Sequence, residues 1–304
     1  MKSGWIDFGL VRDFLAEQTN AYRICTKTEA WAERFGNDAL VSFKTERNRD
    51  AIIEELQQWS EAGEVPFARI FARFLPKKNA ERELPQLVTG DRDADLQTTV
   101  MERGVHFRID LGGSYSAGLF VDQRENRQLV RRIAPRKLLN CFSYTCSFSV
   151  VAGLTGASTV SIDLSRKSLA RGRENFTING MSMNQHRFLA DDVFDVLPRL
   201  ARKGEKFDVI ILDPPTFSRS RRGRPFQVEH DFEKLLIAAL ELTERDAKIL
   251  LSTNCTKLNE RALEVVARFG LKVVRRAGNF HRPPALPDFP PGAAAARSIW
   301  LTLR

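Results

Sequence analysis

The chain has 304 residues, 43% hydrophobic and 28% charged, a balance typical of a globular protein and not of a disordered or fibrous one. Lysine plus arginine (47) exceed aspartate plus glutamate (38), and the net charge of +9 favours a polyanionic partner. No apolar run approaches the ~20 residues that span a bilayer, and the charges in MKSGWIDFGLVRDF are unlike a secretory signal. The four cysteines lack metal-site spacing. We therefore expect a cytoplasmic protein with no metal site.

The first ~100 residues differ in pattern from the rest and predict a small α+β domain over 1–100. A polar stretch over 76–97 follows, and a hairpin then leads into a larger domain over 101–304. The helix-like segments of the small domain are VRDFLAEQT and RNRDAIIEELQQWSEAG, and its strand-like segments are AYRICT, DALVSFKTE and FARIFARF.

In the larger domain, seven strand-like segments alternate with helix-like ones. This alternation predicts βαβ units and a mostly parallel seven-stranded sheet with helices on both faces and an antiparallel last strand. A proline-rich segment over 281–297 cannot be regular structure and separates the last two strands. The seven predicted strands are KLLNCFS, STVSIDLS, HRFLADD, FDVIILD, AKILLSTN, LKVVRRA and RSIWLTLR.

Carboxylates follow three of these strands in succession. Asp163, about twenty residues after the first strand, is placed to accept hydrogen bonds from the two hydroxyls of a ribose. Asp192 could accept from an adenine amino group, and Asp213 follows the fourth strand. Each alone is equally well explained as a helix N-cap. Three in successive crossovers favour a cofactor that contains a nucleoside.

The first strand-to-helix loop, NCFSYTCSFS over 140–149, lacks the GxGxxG pattern. A dinucleotide pyrophosphate needs those glycines so that the backbone can approach it. Their absence argues against NAD or FAD and allows S-adenosyl-L-methionine, which has no phosphate.

These segments resemble class I S-adenosylmethionine-dependent methyltransferases, which have a Rossmann-like sheet, and more narrowly the large-subunit (23S) rRNA base methyltransferases. The resemblance is carried by LNCFSYTCSFSVVAGLTGAS, SIDLSRKSLARGRENFTING, LADDVFDVL, DPPTFS and GLFVDQRENR, and it extends into AYRICTKTEAWAERFGNDALVSFK. It implies that 140–145 wraps the methionine part, that Gln123 and Arg124 close over the cofactor, and that 213–217 forms the floor for the target base. The implied cofactor-binding residues are Gln123, Arg124, Asn140, Phe142, Ser143, Tyr144, Thr145, Asp163, Leu164, Ser165, Asp192 and Asp213.

The stretch VIILDPPTFSRSRRGR ends a buried strand in a carboxylate, two prolines and an aromatic residue. Pro214 and Pro215 fix the chain direction and remove backbone donors. Asp213 can then face a base edge while Phe217 stacks on a flipped base. The arginines that follow are predicted to grip RNA phosphates, although a solvated basic surface is the structural alternative. They are Arg219, Arg221, Arg222 and Arg224.

The sequence does not decide which atom accepts the methyl group, guanine N7 or cytosine C5. Guanine N7 already carries a lone pair and needs only alignment, whereas cytosine C5 needs a cysteine thiolate at C6 and a base for the C5 proton. DPPTFS and the later FQVEHDFEKLL resemble the guanine-N7 branch, as does the lack of an extra N-terminal RNA-binding module. Cys255 in ILLSTNCTKL stands where the cytosine-C5 branch has its cysteine, and Asn254 could bond a base in either case.

The sequence thus predicts an S-adenosylmethionine-dependent rRNA base methyltransferase, with guanine N7 slightly favoured over cytosine C5 and a small N-terminal domain that docks RNA. The predicted catalytic residues are Asp213, Pro214, Pro215, Phe217 and Cys255. The alternatives are a methyltransferase of a small molecule or protein, against which the charge and the arginines count, and a non-catalytic RNA-binding factor on the same fold, against which the intact DPPTF counts.

Overall fold

The first part of the chain forms a five-stranded sheet of order β1-β2-β3-β4-β5, antiparallel except between β3 and β4. Helix α2 contacts the β2 and β3 part of this sheet. It buries Ile52, Leu56 and Trp59, whose spacing places them on one face of the helix. The elements are α1 Phe8–Ala16, β1 Ala21–Thr26, β2 Ala30–Phe35, β3 Asp38–Phe43, α2 Glu46–Gly63, β4 Arg69–Phe74, β5 Gln86–Thr89 and a separate hairpin of β6 Gln97–Glu102 and β7 Val105–Asp110.

The computed structural model describes residues 3–63, 65–76, 82–219, 225–293 and 295–304. These fall into two compact units: the first unit spans Met1–Arg124 and Ala285–Ala294, and the second unit spans Glu125–Pro284 and Ala295–Arg304. The division predicted near residue 100 therefore lies inside the first unit, which also takes in part of the proline-rich segment. No helix in the described part of the chain is long and apolar enough to cross a bilayer.

The second unit is built on a seven-stranded sheet of order β10-β9-β8-β11-β14-β16-β15, in which β16 runs antiparallel to both its neighbours and the other pairs are parallel. The predicted fold class is confirmed. The elements from the unit boundary onward are α3 Arg124–Ile133, β8 Lys137–Cys141, α4 Ser147–Gly153, β9 Ser158–Ile162, α5 Arg166–Ile178, β10 His186–Leu189, α6 Val193–Arg202, β11 Phe207–Leu212, β12 Phe217–Arg219, β13 Pro225–Gln227, α7 Val228–Leu240, β14 Thr243–Thr253, α8 Glu260–Val273, β15 Gly278–His281 and β16 Arg297–Leu303.

The central strands of this sheet are continuous apolar runs because helices cover both faces. In β11 only Asp208 is not buried, and its carboxylate accepts hydrogen bonds from the backbone N–H groups of Arg136 and Lys137 at the start of β8. The strand order reverses between β8 and β11, and ligands of such sheets bind at the carboxyl ends of the strands near that point.

Several elements differ from the sequence-based expectation. The predicted strand LKVVRRA is wrong, because Leu271–Val273 end helix α8 and the edge strand β15 follows at Gly278–His281. Strand β2, Ala30–Phe35, was not predicted. The short strand β5 lies within the polar stretch over 76–97. It was not predicted because its side chains are mostly exposed and the charged residues around it are typical of a loop. Strand β14 begins at Thr243, four residues before the predicted start, and includes polar residues that extend beyond the core. Strands β12 and β13 form a small antiparallel hairpin after DPPT, where the sequence predicted only a loop.

Candidate active site

The loop between β8 and α4, residues 142–146, is held in an uncommon conformation. Phe142, Tyr144 and Cys146 all have positive φ, of 57°, 47° and 62°. Only glycine adopts such angles without strain, so other contacts must hold the loop. The backbone N–H of Ser143 donates to the Ile162 carbonyl at 2.9 Å, and the Asn175 amide on α5 donates to the Thr145 carbonyl at 2.9 Å. These hydrogen bonds thus stabilise positive φ angles that glycine residues would adopt without strain.

Asp163 ties this loop to the next strand. One carboxylate oxygen accepts the backbone N–H of Tyr144 at 2.8 Å, and the other accepts the N–H of Ser165 at 2.8 Å. Burial raises the pKa of Asp163, against the lowering effect of these two hydrogen bonds. Each carboxylate oxygen has further lone pairs, so the side chain can still accept hydroxyl donors. The Ser165 hydroxyl itself caps α5 through the N–H of Ser168.

A cavity of about 160 Å³ lies beside the loop. Its aromatic walls are Phe142, Phe194 and Phe226, with ring centroids 5.6 and 5.8 Å from Phe226 to the other two. Leu164 and Asp192 also line it. The Asp192 side chain caps α6 by accepting from Phe194 N at 2.9 Å, so the structural alternative weighed for this residue is realised. Its position at the cavity still allows a second acceptor role.

These groups fit a cationic nucleoside cofactor. A cavity lined by aromatic side chains and carboxylates suits an adenine ring and its amino group, and the neighbouring Asp163 suits a ribose. The cavity lies at the carboxyl ends of β9 and β10 and extends to the β12–β13 hairpin through Ser218 and Phe226. Asn140 is less open to a ligand, since it is buried and its amide donates to the Ser149 hydroxyl at 3.0 Å.

The DPPTF segment leads from β11 into the hairpin. Asp213 is half-buried directly after the strand, Pro214 is buried and Pro215 is exposed. Phe217 is 49% exposed, with the Arg219 guanidinium 5.7 Å from its ring centroid. Phe226, on the other strand of the hairpin, anchors it at the cavity. The remaining predicted RNA-binding residues, Arg221, Arg222 and Arg224, lie outside the described residues.

Cys255 follows β14 at the same edge of the sheet, but its side chain is only 3% exposed. The thiol donates to Glu229 on α7 at 3.6 Å, and the other Glu229 oxygen pairs with Lys257 at 2.8 Å. The Lys257 ammonium holds the pKa of Glu229 below its usual value. The predicted nucleophile is thus a buried thiol beside an ionised carboxylate.

Two residues predicted to close over the cofactor belong to the first unit. Gln123 is buried in a 3₁₀ turn over Val121–Gln123. The side chain of Arg124 is fully buried, pairs with Asp288 and lies over the Phe14 ring. A structural role accounts for the burial of Arg124, and the cofactor role remains a prediction.

The sequence-based prediction included Phe142, Leu164 and Asp192 but missed other residues that line the cavity. Val193, Phe194 and Phe226 line the cavity but were not proposed as site residues, and neither was Glu229. The signal for the first two was the apolar pair that directly follows Asp192 in LADDVFDVL. Phe226 and Glu229 reach the site only because the β12–β13 hairpin and α7 fold back toward it, and no local sequence pattern predicts this. No cluster of three or more metal-binding side chains occurs within the described ranges.

Comparison with known proteins gives consistent matches. A family model described as S-adenosylmethionine-dependent methyltransferase matches residues 87–301. Ribosomal RNA large subunit methyltransferase I of Aeromonas salmonicida is 32% identical over 74% of this chain and 57% of its own length, and the protein of that name from Tolumonas auensis is 31% identical over 83% and 63%. The chain therefore spans about three-fifths of the length of these relatives. The crystal structure of SMU.776 complexed with SAH has a TM-score of 0.84 at 24% identity, covering 98% of this chain and 79% of that one.

Proposed function

The chain belongs to the family of S-adenosylmethionine-dependent methyltransferases, and from this premise we propose that it methylates a base of large-subunit (23S) rRNA in the cytoplasm. Family membership confirms the predicted cofactor, S-adenosyl-L-methionine, and the predicted class of enzyme. The names of the two relatives support the substrate class, and so does the net charge of +9. We also propose that the N-terminal residues 1–100 help to dock RNA.

One observation carries the proposal: a half-exposed phenylalanine stands beside an arginine on a hairpin anchored at the cofactor cavity. Phe217 presents a face on which a flipped base can stack, an interaction of ~1–3 kcal/mol, and Arg219 adds a cation for the adjoining phosphate. A small-molecule methyltransferase would have little use for an exposed aromatic residue beside a cation. An RNA base methyltransferase needs both groups next to the methyl donor.

The residues of this chain have separate tasks in the proposed reaction. Asp163 would bind the ribose, and the aromatic cavity beside Asp192 would hold the adenine. Phe217 would stack on the target base while Asp213 accepts hydrogen bonds from its edge. S-adenosyl-L-methionine supplies the reactive methyl group on a sulfonium. The enzyme then contributes alignment, which lowers the barrier by fixing acceptor and methyl group in line.

We favour guanine N7 as the acceptor atom. Guanine offers ring and amino N–H donors to a carboxylate such as Asp213, and its N7 needs neither a nucleophile nor a base. Cys255 is 3% exposed and its thiol is engaged with Glu229, an arrangement that suits a structural residue.

Cytosine C5 is the second candidate because Glu229 could accept the thiol proton. The Cys255 thiolate would add to C6, the methyl group would join C5, and a base would then remove the C5 proton as the thiol leaves. This route requires the pocket around Cys255 to open to the base.

Mass spectrometry of rRNA nucleosides from cells with and without the gene tests the proposed function. We expect one methylated nucleoside, 7-methylguanosine, to disappear without the gene and to return with the wild-type protein. Cys255→Ala should retain most of the methyl transfer and Asp213→Ala should lose it. Asp246→Ala, at an exposed position on β14, serves as the control.

Other outcomes identify the alternatives. Loss of activity in Cys255→Ala, together with a covalent adduct on RNA containing 5-fluorocytidine, would move the assignment to cytosine C5, since fluorine cannot leave as the C5 proton does. Unchanged rRNA nucleosides in cells that lack the gene would contradict the rRNA assignment itself.

A further inference from the structure

A second concave surface lies at the other end of the cofactor cavity. It is an open groove of about 800 Å³ along the terminal strand β10 and helix α6, with an apolar floor that includes Phe188 and Leu200. We call it the β10 groove. Its cationic side chains come from three elements, and all five are exposed: Arg166, Arg187, Arg199, Arg202 and Lys203.

The carboxylates at this groove are already paired. Asp191, the one acidic residue that lines it, forms an ion pair with Arg199. The nearby Glu205 accepts from Arg187 at 2.8 Å and from Lys137 at 3.2 Å. Burial alone would raise the pKa of Glu205, but these two cations outweigh it and lower the pKa. Glu205 therefore remains ionised at neutral pH, and both acids are paired.

Three cations remain without an acidic partner in the described part of the chain: Arg166, Arg202 and Lys203. Arg166 stands at the first residue of α5, where the helix dipole adds to its positive potential. Arg202 is the last residue of α6 and Lys203 is its C-cap, and basic residues at this end of a helix complement the helix dipole. That structural role is the alternative to ligand binding, and it accounts for neither Arg166 nor the concave shape.

The groove and the cofactor cavity are neighbours. Asp191 lines both, and the β12–β13 hairpin lines the cavity through Ser218 and Phe226. The cavity thus lies between the hairpin that carries Phe217 and Arg219 and the β10 groove. An RNA strand whose target base reaches the hairpin can continue past the cavity into the groove.

We propose that the β10 groove binds the phosphodiester backbone of the RNA substrate, a deeper assignment that rests on the proposed function. Exposed arginines and lysines spread over three elements suit a chain of phosphates better than a single small anion. Such contacts carry no sequence information; they fix the register in which the target base meets the active site.

The test is a charge-matched pair of triple variants. The groove variant is Arg166→Gln/Arg202→Gln/Lys203→Gln. The control, Arg245→Gln/Arg261→Gln/Lys272→Gln, removes three exposed cations elsewhere on the second unit. The probe is a fluorescein-labelled single-stranded 20-nucleotide RNA of mixed sequence, titrated by anisotropy from 50 to 200 mM KCl. Calorimetry with S-adenosyl-L-methionine and incorporation of labelled methyl into rRNA are measured on the same proteins.

We expect the slope of log K against log salt to fall by about 2 in the groove variant, since each single-strand phosphate contact contributes about 0.7. The RNA Kd should rise at least about tenfold at 0.1 M salt, with cofactor affinity unchanged, which also shows that the variant is folded. The control should change the Kd less than twofold. Weaker RNA binding by the groove variant supports the groove even if the wild type methylates no rRNA, an outcome that would contradict only the proposed function.

Two results would overturn the groove assignment. One is an unchanged Kd and salt slope in the groove variant. The other is an equal loss in both variants, which would mean that net charge alone attracts RNA. If rRNA methylation by the wild type persists alongside either result, the proposed function stands without the groove.

Discussion

The two units of the chain place their charged residues in opposite ways. The first unit buries ion pairs inside its own structure: Arg23 with Glu33, Arg69 with Asp38, and Arg124 with Asp288. The second unit has a core of apolar strands and holds Asp163 and Asp192 at the carboxyl ends of those strands, bonded to backbone N–H groups of the site loops. These charges of the first unit serve its structure, whereas Asp163 and Asp192 of the second unit lie at the candidate site.

Because of this difference, a charged residue in the sequence indicates a ligand in one unit and a structural ion pair in the other. A carboxylate at a strand end in a parallel sheet is placed for a ligand by the topology. An arginine within a strand, such as Arg23 or Arg69, is explained by its partner across the sheet. Removal of charge should therefore affect the free energy of unfolding in the first unit and ligand affinity in the second.

The largest effect is expected for Asp288→Ala. The substitution leaves the fully buried Arg124 without its carboxylate, and breaking a buried pair costs about 3–5 kcal/mol of unfolding free energy. It also removes the acceptor for the backbone N–H of Arg23. Urea unfolding followed by tryptophan fluorescence measures the loss. Glu264→Ala, which breaks an exposed pair with Arg268 on α8, is the control and should cost less than about 1 kcal/mol.

An intermediate effect, on binding rather than folding, is expected for Asp163→Asn in the second unit. An amide offers one acceptor oxygen and cannot serve both backbone N–H groups and a ribose, so cofactor affinity should fall by about 1.5–3 kcal/mol, or 10- to 150-fold. Calorimetry measures this change, with Asp246→Asn as the matched surface variant. Equal affinities in the two variants would remove Asp163 from the cofactor site.

The smallest effect concerns pH. Burial lowers the pKa of His186, whose ring lies 4.4 Å from that of Phe176 and whose Nδ1 is 3.0 Å from the Thr159 hydroxyl. The folded chain favours the neutral His186 ring, and the unfolded chain binds a proton more readily. The stability that depends on the neutral ring is therefore complete above the unfolded pKa of about 6.5 and is lost as the pH falls through the lower, folded pKa. His186→Gln should reduce the loss of unfolding free energy between pH 7 and pH 5. Identical pH profiles would argue that His281, whose pKa is also lowered, carries the effect.

The sequence was informative where local pattern and topology agree. Apolar runs such as VIILD predict buried strands, and the order of strands and helices then places Asp163 and Asp213 at one edge of the sheet. The cavity could not be predicted because it is formed by Phe142, Phe194 and Phe226, which are separated along the chain and meet only after folding. The pairing of Arg124 with Asp288 was hidden for the same reason, and the motif around Arg124 suggested a ligand instead.

The contacts of Asp288 also have a consequence for the order of folding during synthesis. Its partners in the first unit stand 164 residues earlier, at Arg124, and 265 residues earlier, at Arg23. At translation rates of about 5–20 residues per second, about 10–30 s pass between the synthesis of Arg124 and that of Asp288. The first unit therefore lacks the Asp288 carboxylate throughout that interval, because the second-unit segment 125–284 is synthesised first. A nascent chain stalled before residue 285 should accordingly be a better substrate for chaperones and proteases than the finished protein.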